Sequence, residues 1–233
     1  MKIFTHTPPK GKLFMKKFKA AIFDMDGTLL DTMYMWRHLA HEYLKNSDVP
    51  VPEDITEQMA IRGLDATVDF MIENLNLNLS HEELTNALLD IIAEHYKTKA
   101  VMKKGALNFL RNLNERGISA VVLSATDEKL IQLAAERLGI MNCLSHKLLS
   151  CGTLQYTKNH PESFIKAAEY MGCKPDEVMV FEDAWYAAST AKKAGFALGV
   201  IADKEESRTA EMRELADFYI EESWDEFPID RFF

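Results

Sequence analysis

The clearest pattern along the chain is a series of short apolar runs that end abruptly in polar residues. Residues 20–23 lead directly into Asp24, and later runs at 118–123, 177–181 and 196–201 end in the same way. An apolar run of this length, bounded by turn-forming residues, is typical of a buried strand. The pattern therefore predicts four buried strands, each followed by a polar loop.

Helical periodicity fills the segments between the later runs. Apolar residues recur at spacings of three and four over about 105–116, 127–138, 161–172 and 184–194, as on one face of a helix. A glycine, which readily adopts the left-handed conformation that ends a helix, lies at or just beyond each end: Gly117, Gly139, Gly172 and Gly195. Alternating strands and helices predict an α/β fold with a doubly wound parallel sheet, covered by helices on both faces.

Residues 33–103 interrupt this alternation, because they show helical periodicity and little strand character. The stretch from residue 81 carries an apolar stripe at spacings typical of a helix, formed by Leu84, Leu88, Ile91, Ile92 and Tyr96. We therefore predict an α/β core over 15–32 and 104–233, with an inserted helical cap over 33–103. Residues 1–14 are basic and contain Pro8 and Pro9, which predicts a poorly ordered leader.

Composition narrows the possible partners. The 233 residues include 27 Lys and Arg against 36 Asp and Glu, a formal net charge of −9. This balance argues against binding to nucleic acid or an anionic membrane, which relies on basic side chains. No apolar run approaches the ~20 residues needed to span a bilayer. The odd number of cysteines, without metal-ligand spacing, predicts free thiols in a reducing, cytoplasmic setting: Cys143, Cys151 and Cys173.

Polar groups suited to phosphate chemistry follow the predicted strands. Ligands of open α/β sheets bind beyond the carboxyl ends of the strands, where this chain carries Asp24, Asp26, Ser124, Lys158 in a loop, Glu182 and Asp183. Clustered carboxylates need a cation, and hard oxygen ligands favour Mg²⁺, which commonly bridges to a substrate phosphate. The free N–H groups of a helix that begins at Ser124 would favour an anion. The combination predicts a site for a phosphate group and Mg²⁺.

Four segments together resemble the ordered motifs of the haloacid dehalogenase-like (HAD) phosphohydrolase superfamily. They are Phe23-Asp24-Met25-Asp26-Gly27-Thr28-Leu29, then Leu123-Ser124-Ala125-Thr126, then Lys158 with Pro161 and Phe164, and finally Phe181-Glu182-Asp183 with Ala191, Ala194 and Gly195. The helical insert after the first motif is similar to the helical-cap branch, which includes β-phosphoglucomutases and small-metabolite phosphatases. The resemblance extends over residues 18–201.

The resemblance implies a role for each matching residue. Asp24 would be the nucleophile that forms an aspartyl-phosphate, and Asp26 would be the general acid and then the general base. Mg²⁺ would be held by the Asp24 and Asp183 side chains and the Asp26 backbone carbonyl, with Glu182 in support. Ser124 and Lys158 would hold the phosphoryl oxygens, with Ala125 and Gly27 completing the phosphate site.

Departures from the family pattern bear on the choice of reaction. β-Phosphoglucomutases carry a His where this chain has Trp36, and an Arg, which holds a second phosphate, where it has Ala66. Arg62 lies nearby but on the other side of Gly63. We therefore favour a Mg²⁺-dependent phosphatase acting on a small phosphorylated metabolite such as a sugar phosphate. A phosphomutase, a catalytically idle regulatory module and an interaction protein that keeps the fold stay open, as does the oligomeric state.

Overall fold

A computed structural model describes residues 17–59, 63–75, 77–146 and 148–233. The predicted leader over 1–14 and Arg62 lie outside these ranges. Within them, six parallel strands form one sheet in the order β3-β2-β1-β4-β5-β6. The strands are β1 (Ala20–Phe23), β2 (Ser119–Ser124), β3 (Leu149–Ser150), β4 (Val178–Glu182), β5 (Ala197–Ile201) and β6 (Phe218–Ile220).

In the described ranges, five helices lie between β1 and β2, and the first four of them fall within the predicted cap. These four are α1 (Met33–Lys45), α2 (Ile55–Met59), α3 (Leu64–Asn74) and α4 (His81–Thr98). The remaining helices accompany the sheet: α5 (Ala106–Glu115), α6 (Glu128–Arg137), α7 (Cys151–Leu154), α8 (Pro161–Tyr170), α9 (Trp185–Lys193), α10 (Thr209–Leu215) and α11 (Ile229–Phe232).

Alternate residues of β1 supply two different apolar layers. Ala21 and Phe23 belong to one buried cluster, which also contains Phe181 and the buried cap residues. Ala20 and Ile22 belong to a second cluster, which contains Phe164 of α8. Because successive strand residues point to opposite faces of a sheet, both faces are covered. The predicted doubly wound parallel core with an inserted helical cap is confirmed.

Helix α4 shows why the cap sequence forms the elements it does. The Ser80 hydroxyl accepts a hydrogen bond from the Glu83 N–H at 3.2 Å, and the Glu83 carboxylate accepts one from the Ser80 N–H at 2.8 Å. This reciprocal capping satisfies two N–H groups at the helix start. The predicted stripe is buried at Leu84, Leu88, Ile92 and Tyr96, while Ile91 is only half-buried.

Two short strands and the packing of the chain's end were not predicted from the sequence. The sequence pattern did not indicate β3 and β6, because they are two and three residues long and give no periodic signal. The end of the chain packs on its own core, since Phe227, Phe232 and Phe233 are buried near Phe18. In the ranges that the structure describes, we find no helix with the length and apolar character to cross a membrane.

Candidate active site

The strand register brings Asp24 and Glu182 to the same edge of the sheet. Phe23 of β1 lies opposite Phe181 of β4, so the residues that follow, Asp24 and Glu182, emerge side by side. Lys158, in the loop before α8, lies between them and is 2% exposed. Its Nζ donates to Asp24 Oδ1 and, at 2.6 Å, to Glu182 Oε1. Three elements distant in sequence therefore meet around one buried ammonium group.

Asp183 joins this pair to form an acidic cluster. One carboxylate oxygen from each of Asp24, Glu182 and Asp183 lies within 4.8 Å of the others, and all three residues are buried. The Thr28 hydroxyl donates to Asp183 Oδ1 at 2.8 Å and fixes the orientation of that carboxylate. Predicted site residues from the first and fourth motifs are thus brought together in space.

The electrostatics of the cluster show an excess of buried negative charge. Burial raises the pKa of Asp24, although Lys158 opposes the shift, and burial raises the pKa of Glu182 to about 7. Burial and the neighbouring Asp24 and Glu182 raise the pKa of Asp183 well above its usual value. Burial lowers the pKa of Lys158, but attraction to Asp24 and Glu182 outweighs burial and raises it well above the usual value. One ammonium faces three carboxylates, an arrangement that a divalent cation would balance.

Gly27 leaves the space that Asp183 occupies. Its φ is +88°, and a Cβ atom there would lie 2.1 Å from Asp183 Oδ2. The family resemblance implies only a phosphate-site role for Gly27. The structure gives it a contact with the acidic cluster, which the fixed order Asp-x-Asp-Gly does not by itself reveal.

The Asp26 carboxyl accepts hydrogen bonds from three hydroxyl groups. Thr32 donates to Oδ1 at 2.7 Å, Thr126 donates to Oδ2 at 3.1 Å, and Tyr96 lies 2.7 Å from both oxygens. Burial and the Asp26 charge raise the pKa of Tyr96 well above its usual value, so its phenol stays protonated. Sequence reasoning did not predict these three hydroxyls. Tyr96 in particular occupies a core position of the α4 stripe, so its role left no separate signal.

Ser124 does not begin the following helix, contrary to the sequence-based expectation. It is the last residue of β2, and its hydroxyl accepts the Thr126 N–H at 3.0 Å in a tight turn. Asp127 caps α6 instead, accepting from the Lys129 N–H at 2.9 Å. Ser124 is buried at the strand end next to that of Asp24, and Ala125 is exposed beside it. The N-cap of the helix after β2 is therefore Asp127, three residues beyond Ser124.

Two aromatic residues of α1 follow the first motif closely. The indole Nε1 of Trp36 is buried and has no acceptor in hydrogen-bonding geometry among the described residues. Tyr34 is 66% exposed and stacks on His38, with a centroid distance of 3.8 Å. Within the described part of the chain, Trp36 is therefore the one of this pair with a buried donor that lacks a well-aligned acceptor.

The fold and the site define a phosphoric monoester hydrolase with a doubly wound core and a helical cap. The family model for haloacid dehalogenase-like hydrolases matches residues 18–195, and the chain belongs to this family.

Individual relatives agree with this assignment. A probable pseudouridine-5'-phosphatase from Drosophila melanogaster is 26% identical over 218 residues, 88% of this chain and 93% of that protein. A β-phosphoglucomutase from Bacillus subtilis is 25% identical over 197 residues, covering 78% and 83% of the two chains. The crystal structure of CbbY from Rhodobacter sphaeroides with phosphate superposes with a TM-score of 0.74 at 16% identity, covering 91% and 96%.

Proposed function

We propose that this protein is a Mg²⁺-dependent phosphatase that hydrolyses a small phosphorylated metabolite through an aspartyl-phosphate on Asp24. The observation that carries the proposal is the position of Asp24, which belongs to the acidic cluster and also accepts a hydrogen bond from the Lys158 ammonium. Lysine neutralises charge at the nucleophile, and the cluster offers oxygen ligands for a cation. The relative named as a phosphatase of pseudouridine 5'-phosphate favours a small phosphorylated substrate of this kind.

The chain offers a chemically suitable set of ligands for Mg²⁺. We assign the metal to the side chains of Asp24 and Asp183 and the backbone carbonyl of Asp26, with Glu182 in support. Carboxylate and carbonyl oxygens suit Mg²⁺ better than softer metals. When bound, the ion offsets the negative charge of the phosphoryl oxygens.

The chain's own residues account for the transfer of atoms and protons. An Asp24 oxygen attacks phosphorus while the bond to the leaving oxygen breaks, and Asp26 gives that oxygen a proton. Asp26 then takes a proton from water, which attacks the aspartyl-phosphate, releases inorganic phosphate and restores Asp24. Lys158 and Ser124 contact the phosphoryl oxygens, with Ala125 and Gly27 beside them. Positioning and charge neutralisation supply most of the rate in such transfers.

The core and the cap have different roles in this proposal. We assign the reaction to the core over 15–32 and 104–233, and substrate selection to the cap over 33–103. Trp36 of the cap, whose buried Nε1 has no well-aligned acceptor among the described residues, is a candidate donor to the part of the substrate beyond the phosphate.

Phosphate release from a panel of phosphorylated metabolites tests the proposal. The assay is run with Mg²⁺ and with a chelator, using wild type and Asp24→Asn. We expect release that needs Mg²⁺ and is lost in Asp24→Asn, because the amide cannot act as the nucleophile. Release that persists in the chelator or in the variant would contradict the proposed mechanism.

A phosphomutase is the second candidate, because a β-phosphoglucomutase is among the relatives. Ala66, where such mutases carry an Arg, is exposed on α3 and has no charge to hold a second phosphate. Conversion of glucose 1-phosphate to an isomer without net phosphate release would favour the mutase over the phosphatase.

A further inference from the structure

Three hydroxyl groups from three different parts of the chain hold the Asp26 carboxyl. Thr32 immediately precedes α1, Thr126 lies in the loop after β2, and Tyr96 lies in the last turn of α4. Tyr96 alone lies within hydrogen-bond distance of both carboxylate oxygens, at 2.7 Å each. The single hydroxyl proton is shared between the two oxygens, so Tyr96 holds both ends of the carboxyl group at hydrogen-bond distance from α4.

The core holds Tyr96 itself in place. Its side chain is fully buried, so its hydroxyl cannot turn to solvent. Arg137 of the core helix α6 donates from Nε to the Tyr96 backbone carbonyl at 3.0 Å and from Nη2 to the Ala100 carbonyl. Charge-assisted hydrogen bonds of this kind are among the stronger ones in proteins. The Tyr96 hydroxyl is therefore a preorganised contact rather than an incidental one.

We propose that Tyr96 is a positioning residue for the phosphatase reaction, holding the Asp26 carboxyl where it can transfer a proton to the leaving oxygen. The inference rests on the proposed function, and extends it to a cap residue. Displacing a reacting group by about 1 Å can cost a large factor in rate. A cap helix would thus contribute, through Asp26, to proton transfer at the core.

Leaving-group dependence separates this role from a merely structural one. A poor leaving group needs the proton from Asp26, whereas 4-nitrophenolate departs without it. A misplaced Asp26 therefore slows phenyl phosphate much more than 4-nitrophenyl phosphate, although the two esters have nearly the same shape. General damage to the fold would slow both esters equally.

The test measures kcat/KM for a series of ring-substituted phenyl phosphates with the Mg²⁺-loaded enzyme. The variants are Tyr96→Phe, which keeps the buried ring, and Tyr43→Phe, which removes a hydroxyl from a half-buried tyrosine of α1. General acid catalysis contributes about 10²–10⁴-fold, and Thr32 and Thr126 stay in place. We therefore expect Tyr96→Phe to lose about tenfold on phenyl phosphate and under about twofold on 4-nitrophenyl phosphate.

The slope of log kcat/KM against leaving-group pKa decides the outcome. A steeper slope in Tyr96→Phe, with the Tyr43→Phe slope like wild type, supports the positioning role. An unchanged slope, with or without a uniform loss of rate, overturns it while leaving the proposed function intact. A wild-type enzyme that releases phosphate from none of these esters or metabolites would overturn the proposed function, and this inference with it.

Discussion

At the scale of single residues, the site is built around one buried lysine and more carboxylates than it can neutralise. Lys158 pairs with Asp24 and Glu182, and Asp183 has only the neutral Thr28 hydroxyl as its hydrogen-bond donor among the contacts described. Buried charges are costly unless they are paired. The metal-free protein therefore carries a cost in stability that depends on pH.

The first prediction concerns Glu182, whose pKa rises from an ordinary 4.5 to about 7 in the folded state. Between these values the folded protein binds more protons than the unfolded chain, so this group lowers stability as pH rises. Lys158 stays protonated in both states over this range and adds no slope. In the wild type, the free energy of unfolding should therefore fall by a few kcal/mol between about pH 5 and pH 8. We expect Glu182→Gln to abolish this fall.

Urea unfolding in the presence of a chelator measures this effect as the difference between wild type and Glu182→Gln at each pH. Taking the difference cancels the histidines, which titrate in both proteins. Saturating Mg²⁺ should flatten the wild-type curve, because the ion binds the ionised carboxylates of the folded state and so stabilises it most at high pH. Parallel curves for the two proteins without metal would show that Glu182 does not titrate abnormally.

The second prediction concerns Gly27, where an added Cβ would lie 2.1 Å from Asp183 Oδ2. Gly27→Ala must push the Asp183 carboxylate aside. We expect Mg²⁺ affinity to fall about 10–100-fold, as when a group that orients a metal ligand is lost. Isothermal titration calorimetry measures the affinity directly.

Gly117→Ala is the matched control for this substitution. Gly117 also has a positive φ, of +69°, but the described residues place no non-neighbouring atom within 4 Å of its added Cβ. Gly117→Ala therefore introduces a similar backbone strain without a contact with the acidic cluster. Equal Mg²⁺ affinity in the two variants would mean that the space Gly27 leaves for Asp183 does not contribute to metal binding.

At the scale of elements, sequence periodicity was informative for long helices and weak for short strands. The α4 stripe predicted which face is buried, because its apolar spacing matches 3.6 residues per turn. The same rule could not show that the Tyr96 hydroxyl reaches Asp26, since a buried tyrosine in such a stripe also suits plain packing. Ser124 is compatible, from its sequence alone, with either a helix cap or a turn after a strand, so the pattern does not distinguish the two.

The third prediction concerns the docking of α4 on α6. Arg137→Met keeps the aliphatic stem but removes the donors to the Tyr96 and Ala100 carbonyls. Hydrogen bonds to charged groups contribute about 1.5–3 kcal/mol each, and buried carbonyls left without a donor add a cost. We expect the free energy of unfolding to fall by about 2–4 kcal/mol in urea titrations.

Lys129→Met on the same helix provides the comparison. Lys129 is exposed on α6, and surface substitutions of this kind change stability by less than about 0.5 kcal/mol. A similar small change in Arg137→Met would mean that the contacts of Arg137 contribute little to the attachment of α4.

At the scale of the whole molecule, alternation of strands and helices predicted a parallel sheet and the edge at which the site lies. The rule that ligands bind beyond the carboxyl ends of strands placed Asp24, Ser124 and Glu182 on one edge, and the register now brings Asp24 beside Glu182. The sequence pattern did not establish how the chain end is used. Aromatic residues near a terminus can cover the protein's own core or a partner chain, and local spacing does not distinguish the two.

The structure places the chain end on its own core. The Phe18 N–H, just before β1, donates to the Phe232 carbonyl at 2.7 Å, and their rings stack at 6.5 Å. Phe227 lies against Phe232, with a centroid distance of 4.9 Å. The last helix therefore closes the core beneath the strand that carries the proposed nucleophile.

The fourth prediction is that shortening the chain to end at Phe227 destabilises the core without altering the chemistry. The truncation removes Phe232 and Phe233, which are 1% and 5% exposed. Burying one such side chain contributes about 1.5–3 kcal/mol, so we expect a loss of about 3–6 kcal/mol in the free energy of unfolding. Asp230→Ala, which removes only an exposed partner of Arg116, should cost less than about 1 kcal/mol.

The remaining folded protein should keep the wild-type dependence on leaving group and Mg²⁺, because the acidic cluster, Lys158 and Asp26 lie at the opposite end of β1. A change in that dependence would mean that the chain end also shapes the active site.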